Sequence, residues 1–202
     1  MNKKVKIAFL AAALAAAGAT SAFAHCDTMD GPTVKDARTA LATKNVNYIL
    51  KWVRADDEAG LRRVFAQALK VRRKGADARE LADAYLFDYL VRIHRAAEGA
   101  PFTGVKPRGT PIDERVLAAD KAIETGDLAP LAALVPADDV GELAERFERV
   151  VSLKAYDVDD VAAGRAYIEA YVRFFKFAEG EEDGHHAEEG YAENGYAEGS
   201  HA

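Results

Sequence analysis

Leu61, Val64, Phe65, Ala68 and Leu69 fall at i, i+3, i+4, i+7 and i+8, one apolar stripe on an otherwise charged segment. That spacing predicts an amphipathic helix. An earlier helix is expected over 33–43, and a counterpart opens at Thr110-Pro111, a capping residue followed by proline where the first turn tolerates it. Short apolar segments follow each of these, at 48–53 and 131–135. The stretches 81–93 and 161–177 are apolar around most of their circumference, the pattern expected of central helices. No stretch sustains the two-residue alternation of a half-buried strand, so the class expected is all-α.

The helices recur. Residues 34–95 align without gaps to 116–177, an offset of 82. Ala55-Asp56-Asp57 returns as Ala137-Asp138-Asp139, Leu61 and Phe65 as Leu143 and Phe147, and Tyr85 and Tyr89 as Tyr167 and Tyr171. Val34, Ala37, Ala40 and Thr43 return as Val116, Ala119, Ala122 and Thr125, also at helical spacing. Register held through this many turns predicts a bundle built from two tandem repeats of about four helices each, with the Tyr-rich helices at its heart. The divisions expected are a leader at 1–24, an N-terminal stretch and first repeat at 25–97, an inter-repeat loop at 98–110, a second repeat at 111–178, and a tail at 179–202. The tail is Gly, Glu, Ala and His with a repeated Gly-Tyr-Ala-Glu, too polar to bury a core and expected to be disordered.

The leader has a basic start at Lys3, Lys4 and Lys6, an apolar run over 7–17 and small residues at Ser21-Ala22-Phe23-Ala24. These are the parts of a cleaved export signal. The run is shorter than the roughly 20 residues that span a bilayer, so no membrane insertion is expected after cleavage. Histidine before Cys26 is wrong for lipoprotein processing, which needs a small side chain there. The mature chain expected is therefore 25–202, in the periplasm or secreted.

Losing three lysines and no acids takes the formal charge from −6 to −9. That balance argues against nucleic acid or an anionic membrane as partner, since both need a clustered basic face. Lys70, Arg72, Arg73 and Lys74, preceded by Arg62 and Arg63, have acids nearby and are expected to form a solvated helix face.

Cleavage before His25 leaves a His-Cys start. One residue then offers an α-amine and an imidazole, the next a backbone amide and the only thiol of the chain. An N-terminal histidine closes a six-membered chelate through its amine and near ring nitrogen, and a metal readily displaces the proton of an amine with a pKa of roughly 8. Thiolate and amide complete a square-planar N,S set that suits copper or nickel, whereas zinc prefers a tetrahedral one. Met29 and Asp30 are candidate auxiliary ligands. In the other reading Cys26 pairs with a small thiol or another chain, or packs in a crevice, and His25 is incidental. The tail histidines His185, His186 and His201 could hold a metal loosely or simply solubilise the chain.

His94 and Glu98 stand four apart at a helix end, so both can share one face where the inter-repeat loop leaves. Their counterparts in the alignment differ, Lys176 for His94 and Ala170 for Asp88, so a shared core does not demand these polar groups. One reading has His94, Glu98 or Asp88 completing a metal site with the folded-back N-terminus. The other has His94 capping its helix and Glu98 pairing with Arg95 in the open. Asp88, if buried, needs Arg92 or Arg95 as partner.

His25-Cys26-Asp27-Thr28-Met29-Asp30-Gly31 resembles the start of mature nickel superoxide dismutase, a helical-bundle enzyme whose hook reads His-Cys-Asp, two variable residues, Cys, Gly. The resemblance implies nickel bound by the amine and imidazole of His25 and the amide and thiolate of Cys26. Asp30 stands in place of the family's second cysteine, so the resemblance carries ligand chemistry and not superoxide dismutation. The His-Cys-Asp-Thr-Met-Asp-Gly-Pro opening and the segment from Leu90 to Gly104, Leu-Val-Arg-Ile-His-Arg-Ala-Ala-Glu-Gly-Ala-Pro-Phe-Thr-Gly, resemble an uncharacterised family of exported bacterial helical proteins. That likeness implies no activity.

The chain has no Gly-rich phosphate loop, His-Glu-x-x-His pair, Gly-x-Ser-x-Gly elbow or second cysteine for redox exchange. Two functions are carried forward: an exported metal protein, and a noncatalytic helical interaction protein of the envelope that holds a protein partner. Neither reading establishes catalysis or an oligomeric state.

Overall fold

A computed structural model describes residues 24–180 of the chain. Almost all of the expected leader and tail lies outside them; Glu179, placed in the tail by its composition, closes the last helix and is buried. Among the described residues the structure is all-helical, with nine α-helices and no strand. These are α1 (Ala24–Asp27), α2 (Pro32–Thr43), α3 (Asn47–Leu50), α4 (Glu58–Val71), α5 (Ala76–Ala97), α6 (Glu114–Thr125), α7 (Ala129–Ala132), α8 (Val140–Leu153) and α9 (Val161–Glu179). Single 3-10 turns at Ala55–Asp57, Arg72–Lys74 and Ala137–Asp139 adjoin α4 and α8. No helix among the described residues is long and apolar enough to cross a membrane.

The stripe on α4 behaves as its spacing demands: Leu61, Val64, Phe65 and Ala68 are buried while Arg62, Arg63 and Lys70 face water. α4 lies on α5, α2 packs on α3 and α5, and α9 is flanked by α8 and α6. The fully buried side chains Leu61, Leu86, Leu90, Leu143, Phe174 and Phe175 come from four of these helices and belong to one core.

Two expectations change. α6 opens at Glu114 and not at Thr110-Pro111, because the Asp113 carboxylate accepts from the Arg115 amide at 2.8 Å and caps the helix, while the Thr110 hydroxyl turns back to the Pro107 carbonyl at 2.8 Å. The Tyr-rich helices also differ from each other. Tyr171 on α9 is buried, but Leu81 and Tyr85 on α5 are 72 % and 57 % exposed. α5 is buried along the face carrying Ala82, Leu86 and Leu90, and Leu81 and Tyr85 lie off it. The basic cluster is the solvated face expected, except that Arg72 turns inward to Asp83 at 2.7 Å.

Candidate functional site

The segment 25–31 folds back against the 98–110 loop. The Lys106 amide donates to the Asp27 carbonyl at 2.8 Å, and the Met29 amide donates to the Lys106 carbonyl at 2.9 Å. Gly31 is required here by space and not by backbone angle, since its φ is −74°. A Cβ at that position would stand 2.1 Å from the His25 carbonyl oxygen. The close approach seats His25, Cys26, Asp27 and Thr28 inside the bundle, each 4 % exposed or less.

His25 is held from the far end of the chain. Its Nε2 lies 2.8 Å from Asp120 Oδ2 on α6, and the Tyr171 hydroxyl on α9 donates to Asp120 Oδ1 at 2.7 Å. A carboxylate can only accept, so Nε2 carries a proton, and in the tautomer this selects Nδ1 is the lone pair. Nδ1 has the Tyr171 oxygen 3.4 Å away, but that hydroxyl has given its proton to Asp120. Phe175 closes over the imidazole edge-on at 5.7 Å.

His94 shows the mirror arrangement. Its Nδ1 donates to the Trp52 carbonyl at 3.0 Å, which leaves Nε2 as the lone pair. Burial lowers the pKa of this ring against the opposing pull of Glu98, so it is neutral at pH 7. Nε2 is buried with no hydrogen-bond partner and faces Glu98 Oε1 at 3.7 Å. Asp27 Oδ1 is likewise buried without a partner. Buried polar atoms left in this condition cost free energy unless an ion or water meets them.

Arg95 ties the two halves of the cluster together. Its guanidinium reaches Glu98 Oε2 at 2.9 Å and Asp27 Oδ2 at 3.5 Å, all within the buried end of α5 and the hook. Burial raises Asp27 to a pKa of about 6 in spite of Arg95. Cys26 is surrounded by negative charge. Burial pushes its thiol well up, Glu98, Asp27 and Asp120 add to the rise, and only Thr33 opposes it. The thiol is therefore protonated, and a cation brought to the sulfur would meet a field that favours it.

Of the residues singled out in the sequence, His25, Cys26, His94 and Glu98 share this region. Met29 and Asp30 do not. The Met29 carbonyl accepts from Arg38 at 2.6 Å, and Asp30 pairs on the surface with Arg108 at 2.5 Å and accepts from the Gly109 amide at 3.1 Å. Asp88 pairs with Arg92 outside the cluster. His185, His186 and His201 lie outside the described residues. Among the described residues no three His, Cys, Asp or Glu side chains form a ready metal-binding group. Sequence reasoning missed Asp27, Asp120 and Tyr171. The signal for Asp120 was present: it stands within the Val116, Ala119, Ile123 stripe, a charge at an apolar position.

Residues 30–177 match the family of unknown function DUF6448. The chain belongs to that family. The match begins after His25 and Cys26 and covers the scaffold that receives them, including Glu98, Asp120 and Tyr171. No curated protein and no solved structure matches the chain. For this DUF6448 protein the chemistry is therefore argued from its own buried cluster.

Proposed function

We propose that this is an exported helical protein, periplasmic or secreted, that binds one copper or nickel ion through His25 and Cys26 at its mature N-terminus. The observation that carries the reading is the pinning of both imidazoles. Each has one nitrogen tied to an oxygen acceptor and the other left as a lone pair in the same buried region as the single thiol. Histidines that ligate metals are held in this way by a carboxylate or a carbonyl. Because side chains alone do not form a ready group, main-chain nitrogens supply the remaining donors: the amine freed by removing Ala24, and the Cys26 amide. Displaced protons leave to water, and His94 and Glu98 stand as auxiliary ligands.

The reading of two tandem repeats is part of the same proposal. The first four helical segments after the hook, beginning at Pro32, Asn47, Ala55 and Glu58, have counterparts beginning at Glu114, Ala129, Ala137 and Val140, each at the offset of the aligned residues. A metal site between copies would draw on residues that differ between them, as His94 and Lys176 do.

The test is intact-mass measurement of the protein exported with its native leader, first under nondenaturing and then denaturing conditions. A first residue of His25 and one bound ion are expected, with a sulfur-to-metal charge-transfer band on titration with copper(II) or nickel(II). Inserting one alanine before His25, or Cys26→Ser, abolishes both ion and band. An ion-free protein, or equal binding after the insertion, overturns the reading.

A second reading, a noncatalytic envelope protein that holds a protein partner, is favoured by the exposure of Leu81 and Tyr85 one turn apart on α5. It predicts that Leu81→Ser with Tyr85→Ser abolishes partner capture while Cys26→Ser leaves it intact. The converse result rejects it.

A further inference from the structure

On the other side of the hook a cleft of about 740 Å³ opens between α2, α5 and the 105–108 segment. Its apolar wall is Met29, Leu41, Phe87 and Val105. Arg38 lies along that wall, its guanidinium 5.4 Å from the centre of the Phe87 ring. Its Nη1 donates to the Met29 carbonyl at 2.6 Å and its Nη2 approaches the Met29 sulfur at 3.9 Å. Arg38 has no carboxylate partner among the described residues, whereas the cleft's other two arginines do: Arg72 holds Asp83 at 2.7 Å, and Arg108 holds the exposed Asp30 at 2.5 Å.

The charges give the cleft a direction. Asp83 is neutralised by Arg72 and Asp88 by Arg92, while Glu80 is an exposed carboxylate two turns from Phe87 along α5. An anion is thereby turned away from the Glu80 end and toward Arg38. Burial and the nearby Arg108 charge lower the pKa of Arg38 against the opposing pull of Asp30 and Asp83, and two guanidinium groups share this end of the cleft. The cation–π contact with Phe87 and the bond to the Met29 carbonyl hold the guanidinium against the wall, and its other N–H groups are left to donate to a planar acceptor. The Arg108–Asp30 pair is exposed, and a ligand carboxylate can take Asp30's place at little cost.

We propose that this cleft binds a small carboxylate with an apolar body, of the size of 3-phenylpropionate, its carboxylate on Arg38 and Arg108 and its body against Met29, Leu41, Phe87 and Val105. The volume lies within the range of small-molecule sites, and an apolar wall with a few convergent polar groups is their usual make-up. Neither His25 nor Cys26 lines the cleft, so this site stands or falls separately from the metal reading.

The experiment is a titration of the full exported chain with 3-phenylpropionate, followed by calorimetry and by backbone and arginine NMR shifts. Saturable one-site binding is expected, with shifts centred on Phe87 and the Arg38 Nε–H. The isosteric alcohol 3-phenylpropan-1-ol should bind at least about tenfold more weakly, as should the carboxylate to Arg38→Ala, with Arg38→Lys between. Arg108 is exposed, so Arg108→Ala leaves the fold intact and should also weaken binding. Absence of saturation at millimolar ligand, equal affinity for acid and alcohol, or shifts that ignore both arginine variants overturns the proposal.

Discussion

Asp120 Oδ2 lies 2.8 Å from His25 Nε2, a hydrogen bond that joins the hook to a helix 95 residues further along the chain. The bond decides which imidazole nitrogen is left bare. It is Nδ1, the nitrogen that in the proposed site would close a six-membered chelate with the freed amine of the same residue.

Under the proposed metal reading, Asp120→Asn should therefore act on metal binding and hardly on the fold. Asparagine can offer its amide proton where the carboxylate accepted one, so the tautomer is no longer selected. Loss of such an outer partner weakens metal affinity by about 10- to 100-fold. Competition with a chromophoric chelator measures this, and unchanged affinity would refute a positioning role for Asp120.

Tyr171→Phe separates orientation from packing. The ring keeps its edge-on contacts with Trp52 and Phe175, but Asp120 Oδ1 loses its donor. A cost of about 1–2 kcal/mol in urea unfolding is expected. No change would mean that water already serves Asp120.

Gly31→Ala should unseat the hook. The new methyl meets the His25 carbonyl, main-chain atoms with no side-chain freedom to yield. Overpacking of this kind costs about 1–3 kcal/mol, and metal affinity should fall with it. Thermal unfolding and titration of one preparation check both; a variant as stable as the parent would show that the segment has room to move.

Glu58 gives a pH signature away from the site. Its carboxylate joins Arg165 of α9 at 2.5 Å, and that bond lowers its pKa. An acid whose folded pKa is depressed adds stability above its unfolded value, near 4.5, and that stability is lost as pH falls through the lower folded value. Glu58→Gln should then be less stable at pH 7 by up to about 1 kcal/mol and match the parent in strong acid. Unfolding midpoints from pH 7 to pH 2 follow the convergence; a constant gap would remove the ion pair as its cause.

The helical class could be read from spacing because burial of one face leaves a periodic trace in the chain. The α4 stripe, from Leu61 to Ala68, is buried as that trace requires. Tyr85 shows where the trace stops informing. An apolar residue records that a helix could be covered there, and only the neighbours' placement decides whether it is, so Tyr85 faces water while Tyr171 does not.

The same boundary runs through the candidate site. His25 and Cys26 are legible because they are adjacent, and His94 and Glu98 because they are one turn apart; local geometry alone brings each pair together. Asp120 and Tyr171 reach His25 across 95 and 146 residues; the apolar stripe around Asp120 marks it as a charge out of place, but nothing along the chain names His25 as what it meets. Spacing along the chain therefore determined the helices and the local pairs. Which pairs share one buried volume, which imidazole nitrogen is bare, and why Met29 and Asp30 turn away to Arg38 and Arg108 were decided by packing, which joins residues by distance through space and not along the chain.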